Sequence, residues 1–119
     1  MRFIVMVKAT KNSEAGALPD QEMLAAMGKF NEELVKAGVM LAGEGLHPSA
    51  KGKRVKFGTG KRTVVDGPFA HPRELVTGYW LWTVKDMDEA VAWVKRCPNP
   101  MSGPSEIEIR PMQEIEDSQ

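Results

Sequence analysis

The sequence predicts an α+β fold in which two helices pack on one face of a mainly antiparallel sheet. Three observations carry this expectation. Residues 3–7 and 79–84 are apolar at nearly every position, so each reads as a strand covered on both faces. Two other segments, one ending at Gly38 and one at Pro98, repeat their apolar residues at helical spacing. The resulting order, strand, helix, strand, hairpin pair, helix, strand, is that of a ferredoxin-like unit. Two helices cover only one face of such a sheet, so the other face of its two-faced strands is expected to meet a second copy of the chain.

Taken in order, the apolar run from Phe3 ends at Lys8, too soon for a membrane span or a typical signal core, and therefore reads as a strand. Residues 9–18 are small and polar and read as a connection. Pro19 and Asp20 suit the first turn of a helix and its positive dipole end. Met23, Met27, Phe30 and Leu34 then recur at i, i+4, i+7 and i+11, with Leu24 and Ala37 beside them, and Gly38 is a good C′ residue. Residues 39–42 resume a strand. Gly43, Gly45, Pro48, Ser49 and Gly52 are assigned to the long turn that follows.

Val55 and Phe57 alternate with Arg54 and Lys56, and Val64 and Val65 follow Gly58-Thr59-Gly60, which predicts a hairpin with one face in water. Asp86 is placed to cap the second helix. Its apolar stripe is Met87, Ala90, Val91, Val94 and Cys97, with Trp93 at the margin, and Pro98 and Pro100 stop it. Ile107 and Ile109 alternate with Glu106, Glu108 and Arg110 in a last strand, and residues 114–119 are expected to fray.

With 119 residues the chain is expected to form one domain, residues 1–119, with a core that needs no disulfide. Its 16 basic and 16 acidic side chains cancel, which removes the cationic excess that nucleic acid would require. The one cysteine, Cys97, ends an apolar stripe and reads as a buried thiol in a reducing, cytoplasmic protein. No glycine spacing sits between strand and helix as a phosphate loop does, and no cysteine cluster or HExxH pair builds a metal site. Neither an organic cofactor nor a membrane partner is expected.

The candidate site centres on residues 66–82, where a polar turn runs into the most aromatic stretch of the chain. Asp66 is a candidate general base if burial raises its pKa toward neutrality, while Asp-Gly-Pro is equally the chemistry of a tight turn. Histidine is the side chain type whose ordinary pKa lies nearest neutrality, which makes His71 the second candidate for proton transfer. His47 lies in another turn and approaches His71 if the two loops share a sheet edge. Arg73 and Glu74 either bind a carboxylate ligand or pair with each other at the surface. Trp80 and Trp82 share one strand face and Tyr79 the other, and these rings either line a cleft for an aromatic ligand or belong to the core or dimer interface.

Asp66-Gly67-Pro68-Phe69, with Glu74, Gly78 and Tyr79, resembles the DGPF branch of the YCII-related family. The resemblance extends to Gly45-Leu46 with Pro48, to Asp88-Glu89-Ala90, to Arg96-Cys97-Pro98 and to Glu108-Ile109-Arg110-Pro111, and so covers nearly the whole chain. It implies a dimeric α+β barrel of two ferredoxin-like units with a cleft near the dimer centre. Related barrels include isomerases, dehalogenating enzymes and monooxygenases of small, often aromatic, compounds. The chain departs from the pattern twice: His71-Pro72 stands where the branch shows Glu-Thr, and Met23-Leu24 stands where shorter YCII proteins carry a helix histidine. Any histidine working with Asp66 is therefore His71 or His47. The expected function is a small-molecule lyase, isomerase or hydrolase with proton transfer at Asp66 in a cleft near the dimer interface. The alternative is a non-catalytic dimeric module that binds a small ligand or a protein.

Overall fold

A computed structural model describes residues 1–114. Its strands are β1 (Arg2–Lys8), β2 (Met40–Gly45), β3 (Lys53–Gly58), β4 (Lys61–Asp66), β5 (Val76–Thr83) and β6 (Ile107–Pro111), and its helices are α1 (Lys11–Glu14), α2 (Gln21–Lys36) and α3 (Met87–Arg96). Four strands form one sheet in the order β2-β5-β1-β6, and every neighbouring pair is antiparallel. The two central strands are thus the two that the sequence marks as apolar on both faces. This strand order with two long connecting helices is the ferredoxin-like plan.

Alternation sorts the central strands. Phe3, Val5, Val7, Trp80 and Trp82 are buried on the helix side, with Val5 opposite Trp80 and Phe3 opposite Trp82. Phe30 and Leu34 of α2 and Ala90 of α3 close over them. The Phe30 ring meets Trp80, Trp82 and Trp93 at centroid separations of 6.0, 6.4 and 6.3 Å, distances at which edge-to-face contact adds to simple area burial. Ile4, Met6, Tyr79 and Leu81 point the other way and are only half-buried. Leu24, expected beside the α2 stripe, is exposed.

The termini of α2 and α3 follow from their caps. Asp20 and Asp86 each accept a hydrogen bond from the backbone N–H three residues on, and Gly38 takes a φ of 71° beyond the end of α2. Asp20 therefore precedes the first turn instead of lying within it. The polar connection after β1 contains an unexpected helix, α1, held by a reciprocal capping box between Thr10 and Ser13.

Two further expectations change. β2 runs on through Gly43 to Gly45, so these glycines belong to a strand, where they remove side chains from the sheet face. Among the described residues the hairpin β3–β4 pairs with no other strand, and its Val55, Phe57 and Val64 are all exposed. It stands out as a ribbon wet on both faces. The expected fraying does not begin at Glu114, whose carboxylate takes two hydrogen bonds of 3.0 Å from Arg2 and is held below its usual titration range by that guanidinium. The remainder of that expectation, residues 115–119, lies outside the described residues. No helix among the described residues is long and apolar enough to cross a membrane.

Candidate functional site

A cavity of about 820 Å³ opens on the helix side of the sheet, between α2 and the paired ends of β2 and β5. Its origin is a deficit of side chains. Gly43 lies opposite Trp80 and Gly45 opposite Gly78, so three glycines share the face on which the core is built. A Cβ on Gly43 would stand 2.8 Å from Trp80 Cδ1, which shows that the indole lies directly against this backbone. A Cβ on Gly45 would meet nothing within 4 Å. The Gly45–Gly78 pair is therefore a bare strip of backbone beside an indole.

The opposite wall is Met23, Met27 and Asn31, spaced i, i+4 and i+8 along α2. Asn31 Oδ1 accepts a 2.9 Å hydrogen bond from Trp80 Nε1. An indole N–H only donates, so it fixes the amide with its oxygen toward Trp80 and its Nδ2 donor free for another partner. Thr10 and Ser13 form part of the rim, and Thr10 Oγ1 donates to Met101 Sδ at 3.6 Å from the facing loop. Lys11, Asp20 and Glu44 are the exposed charges at the mouth. Thioethers, an indole and a carboxamide line the interior, a surface suited to a mostly apolar ligand with few polar groups.

The Asp-Gly-Pro-Phe turn lies elsewhere. Asp66 ends β4 opposite Lys53, pairs with its ammonium group, and leaves 73% of its side chain exposed. Gly67 backs onto the short helical turn Ser49–Lys51: a Cβ there would fall 1.8 Å from the Ser49 carbonyl oxygen, so no other residue fits. The Gly67–Pro68 peptide is cis. Gly67 N donates to Gly52 O at 3.0 Å and Phe69 N donates to Ser49 Oγ at 3.0 Å. Ser49 in turn donates through its N (2.9 Å) and Oγ to the Glu14 carboxylate. The turn is thereby linked through Ser49 to α1, and α1 is part of the cavity rim.

Among the six residues proposed from sequence, Trp80 alone lines the cavity of the single chain. Asp66, His71, His47, Arg73 and Glu74 are exposed outside it. His71 takes a left-handed φ of 65° just before the short helical turn Pro72–Glu74. No salt bridge among the described residues joins Arg73 to Glu74. Asn31 and the facing glycines were missed, although Met23, Met27 and Asn31 recur every four residues and so share one helix stripe. Among the described residues, no three His, Cys, Asp or Glu side chains converge in a way that could hold a metal ion. Cys97 is partly buried, and desolvation pushes its thiol up to about 11.

The YCII-related domain family matches residues 1–113. An uncharacterized protein of Rhizobium meliloti (strain 1021) is 25% identical over 93 residues, which span 78% of this chain and 75% of that protein. Among solved structures, 5-chloro-2-hydroxyhydroquinone dehydrochlorinase (TftG) from Burkholderia phenoliruptrix AC1100, in complex with 2,5-dihydroxybenzoquinone, aligns with a TM-score of 0.55. The alignment is 14% identical and covers 98% of this chain and 97% of that one. At that identity the likeness is one of fold.

Proposed function

The chain belongs to the YCII-related family, and on that premise we propose that it is a small-molecule enzyme of lyase, isomerase or hydrolase type whose substrate enters the cavity beside Trp80. The observation that carries this reading is the bare Gly45–Gly78 strip facing Met23, Met27 and Asn31. A folded chain gains stability by filling such a space, and leaving it open on the core side of a sheet fits a binding role. The dehydrochlorinase of the same fold supports the lyase variant, since its structure holds a small ring compound. The reading calls for no organic cofactor.

Proton transfer at Asp66 and a homodimer are the further parts of the proposal, and they depend on each other. In one chain Asp66 sits on the exposed ribbon and is engaged by Lys53. A second copy covering the ribbon and the open sheet face would desolvate the carboxylate and raise its pKa toward the working range of a base, and the proposal requires the same contact to bring Asp66 of one copy to the cavity mouth of the other. The chain exposes 8582 Å², about a third above the ~6,400 Å² of a compact monomer of its mass. Ile4, Met6 and Leu81 on the open face and Phe57 on the ribbon are apolar surface available to that partner.

The test is chloride release from a chlorinated hydroxyhydroquinone by the purified protein, with Asp66→Asn and Asn31→Ala alongside. The proposal expects turnover, a loss of about 100-fold or more in kcat for Asp66→Asn, and a raised KM for Asn31→Ala. Undiminished kcat in Asp66→Asn removes that carboxylate from the chemistry. If the wild type releases no chloride, the non-catalytic ligand-binding module is the better reading, and the Lys53–Asp66 pair and the glycine-dependent packing of Gly67 on Ser49 are the observations that favour it.

A further inference from the structure

We infer that the cavity selects a flat, uncharged ring carrying a carbonyl or phenolic oxygen, laid on the Gly45–Gly78 backbone with that oxygen toward Asn31 Nδ2. The inference rests on the reading of this cavity as the substrate pocket and adds the class of compound it takes. Antiparallel neighbours on one sheet face ordinarily project two side chains into the layer above, but here neither strand does so. The next pair along the strands, Gly43 and Trp80, shows what this backbone accommodates, because an indole lies against Gly43 so closely that a Cβ would collide with it. The Gly45–Gly78 pair repeats that setting one step along, without the ring. A planar guest in this place continues the layer that Trp80 begins.

The chemistry of the surroundings sets the remaining features. Met23 and Met27 cover the slot with flexible, polarizable thioethers, which pack well on ring faces. Every charged side chain on the lining is exposed at the mouth, so an ionic group deep in the slot would be desolvated without a partner. Asn31 Nδ2 is the oriented donor, because Trp80 Nε1 already occupies the amide oxygen. It calls for an acceptor oxygen on the ring.

Gly45 also supplies a clean test, since a Cβ added there meets no atom within 4 Å and a small side chain therefore enters the open slot. The probes are coumarin, which is flat with one lactone carbonyl, and octahydrocoumarin, which keeps the carbonyl on a puckered frame. Binding is followed by tryptophan fluorescence and calorimetry for the wild type, Gly45→Val, the milder Gly45→Ala, and Asn31→Ala. We expect coumarin to bind at least about tenfold more tightly than octahydrocoumarin. Gly45→Val should abolish coumarin binding at an unchanged Tm, Gly45→Ala should weaken it, and Asn31→Ala should cost roughly fivefold. Equal binding of the two compounds, with both lost in Gly45→Val, overturns the planar selection and leaves the pocket standing. Coumarin binding that neither Gly45 variant disturbs, or no binding of either compound, overturns the pocket reading itself.

Discussion

Gly67 is the residue at which the Asp-Gly-Pro-Phe turn has least freedom, because the Ser49 carbonyl occupies the place of a Cβ. Gly67→Ala should destabilise the protein by at least ~1–3 kcal/mol, measured by chemical denaturation, since relief requires backbone movement in two loops. Phe69 carries a milder version of the same role. Its ring is half-buried beneath the Arg54 guanidinium, 4.0 Å from the centroid, and lies outside the cavity lining. Phe69→Ala should cost ~1–3 kcal/mol, less than for a sealed aromatic, and leave ligand binding unaltered; an unchanged unfolding midpoint would refute the anchoring role. Cys97 adds a pH dependence with a definite sign. Burial raises its thiol pKa from 9.0 to about 11, so the folded state keeps a proton that the unfolded state has lost. Stability from this group is present below pH 9 and declines through the window from 9 to 11. Denaturation of wild type and Cys97→Ala across that window checks it, and parallel curves would contradict it.

At the scale of elements, periodicity made α2, α3 and the central strands legible, because burial on one or both faces writes itself directly into the order of apolar residues. Gly43 and Gly45 were not legible as strand residues. A glycine that empties a strand face and a glycine that makes a turn look identical in sequence, and only the register against Trp80 and Gly78 separates them. Alternation likewise marked β3 and β4 as a pair but could not say that they join no other strand among the described residues. The Asp-Gly-Pro-Phe motif announced importance without location: it lies outside the cavity and contacts the rim through Ser49 and Glu14. Glu14→Ala should therefore loosen two elements together. Amide exchange should accelerate in both α1 and the turn after β4, with ~1–3 kcal/mol lost for the charge-assisted pair. Faster exchange in α1 alone would break the proposed linkage.

For the whole molecule, the sheet topology followed from the order of elements, while the location of the site depended on long-range pairing that no local pattern encodes. The open sheet face and the ribbon together predict a dimer at micromolar concentration in sedimentation, and a stable monomer would refute it. The central claim, that small ring compounds enter the cavity beside Trp80, is tested most directly by NMR of the tryptophan indole and backbone N–H signals during titration with coumarin. The account predicts shifts at Trp80 Nε1 and at the backbone of Gly45, Gly78 and Asn31, with Trp93 Nε1 unmoved. Shifts confined to residues 66–74, with Trp80 Nε1 unchanged, would contradict it.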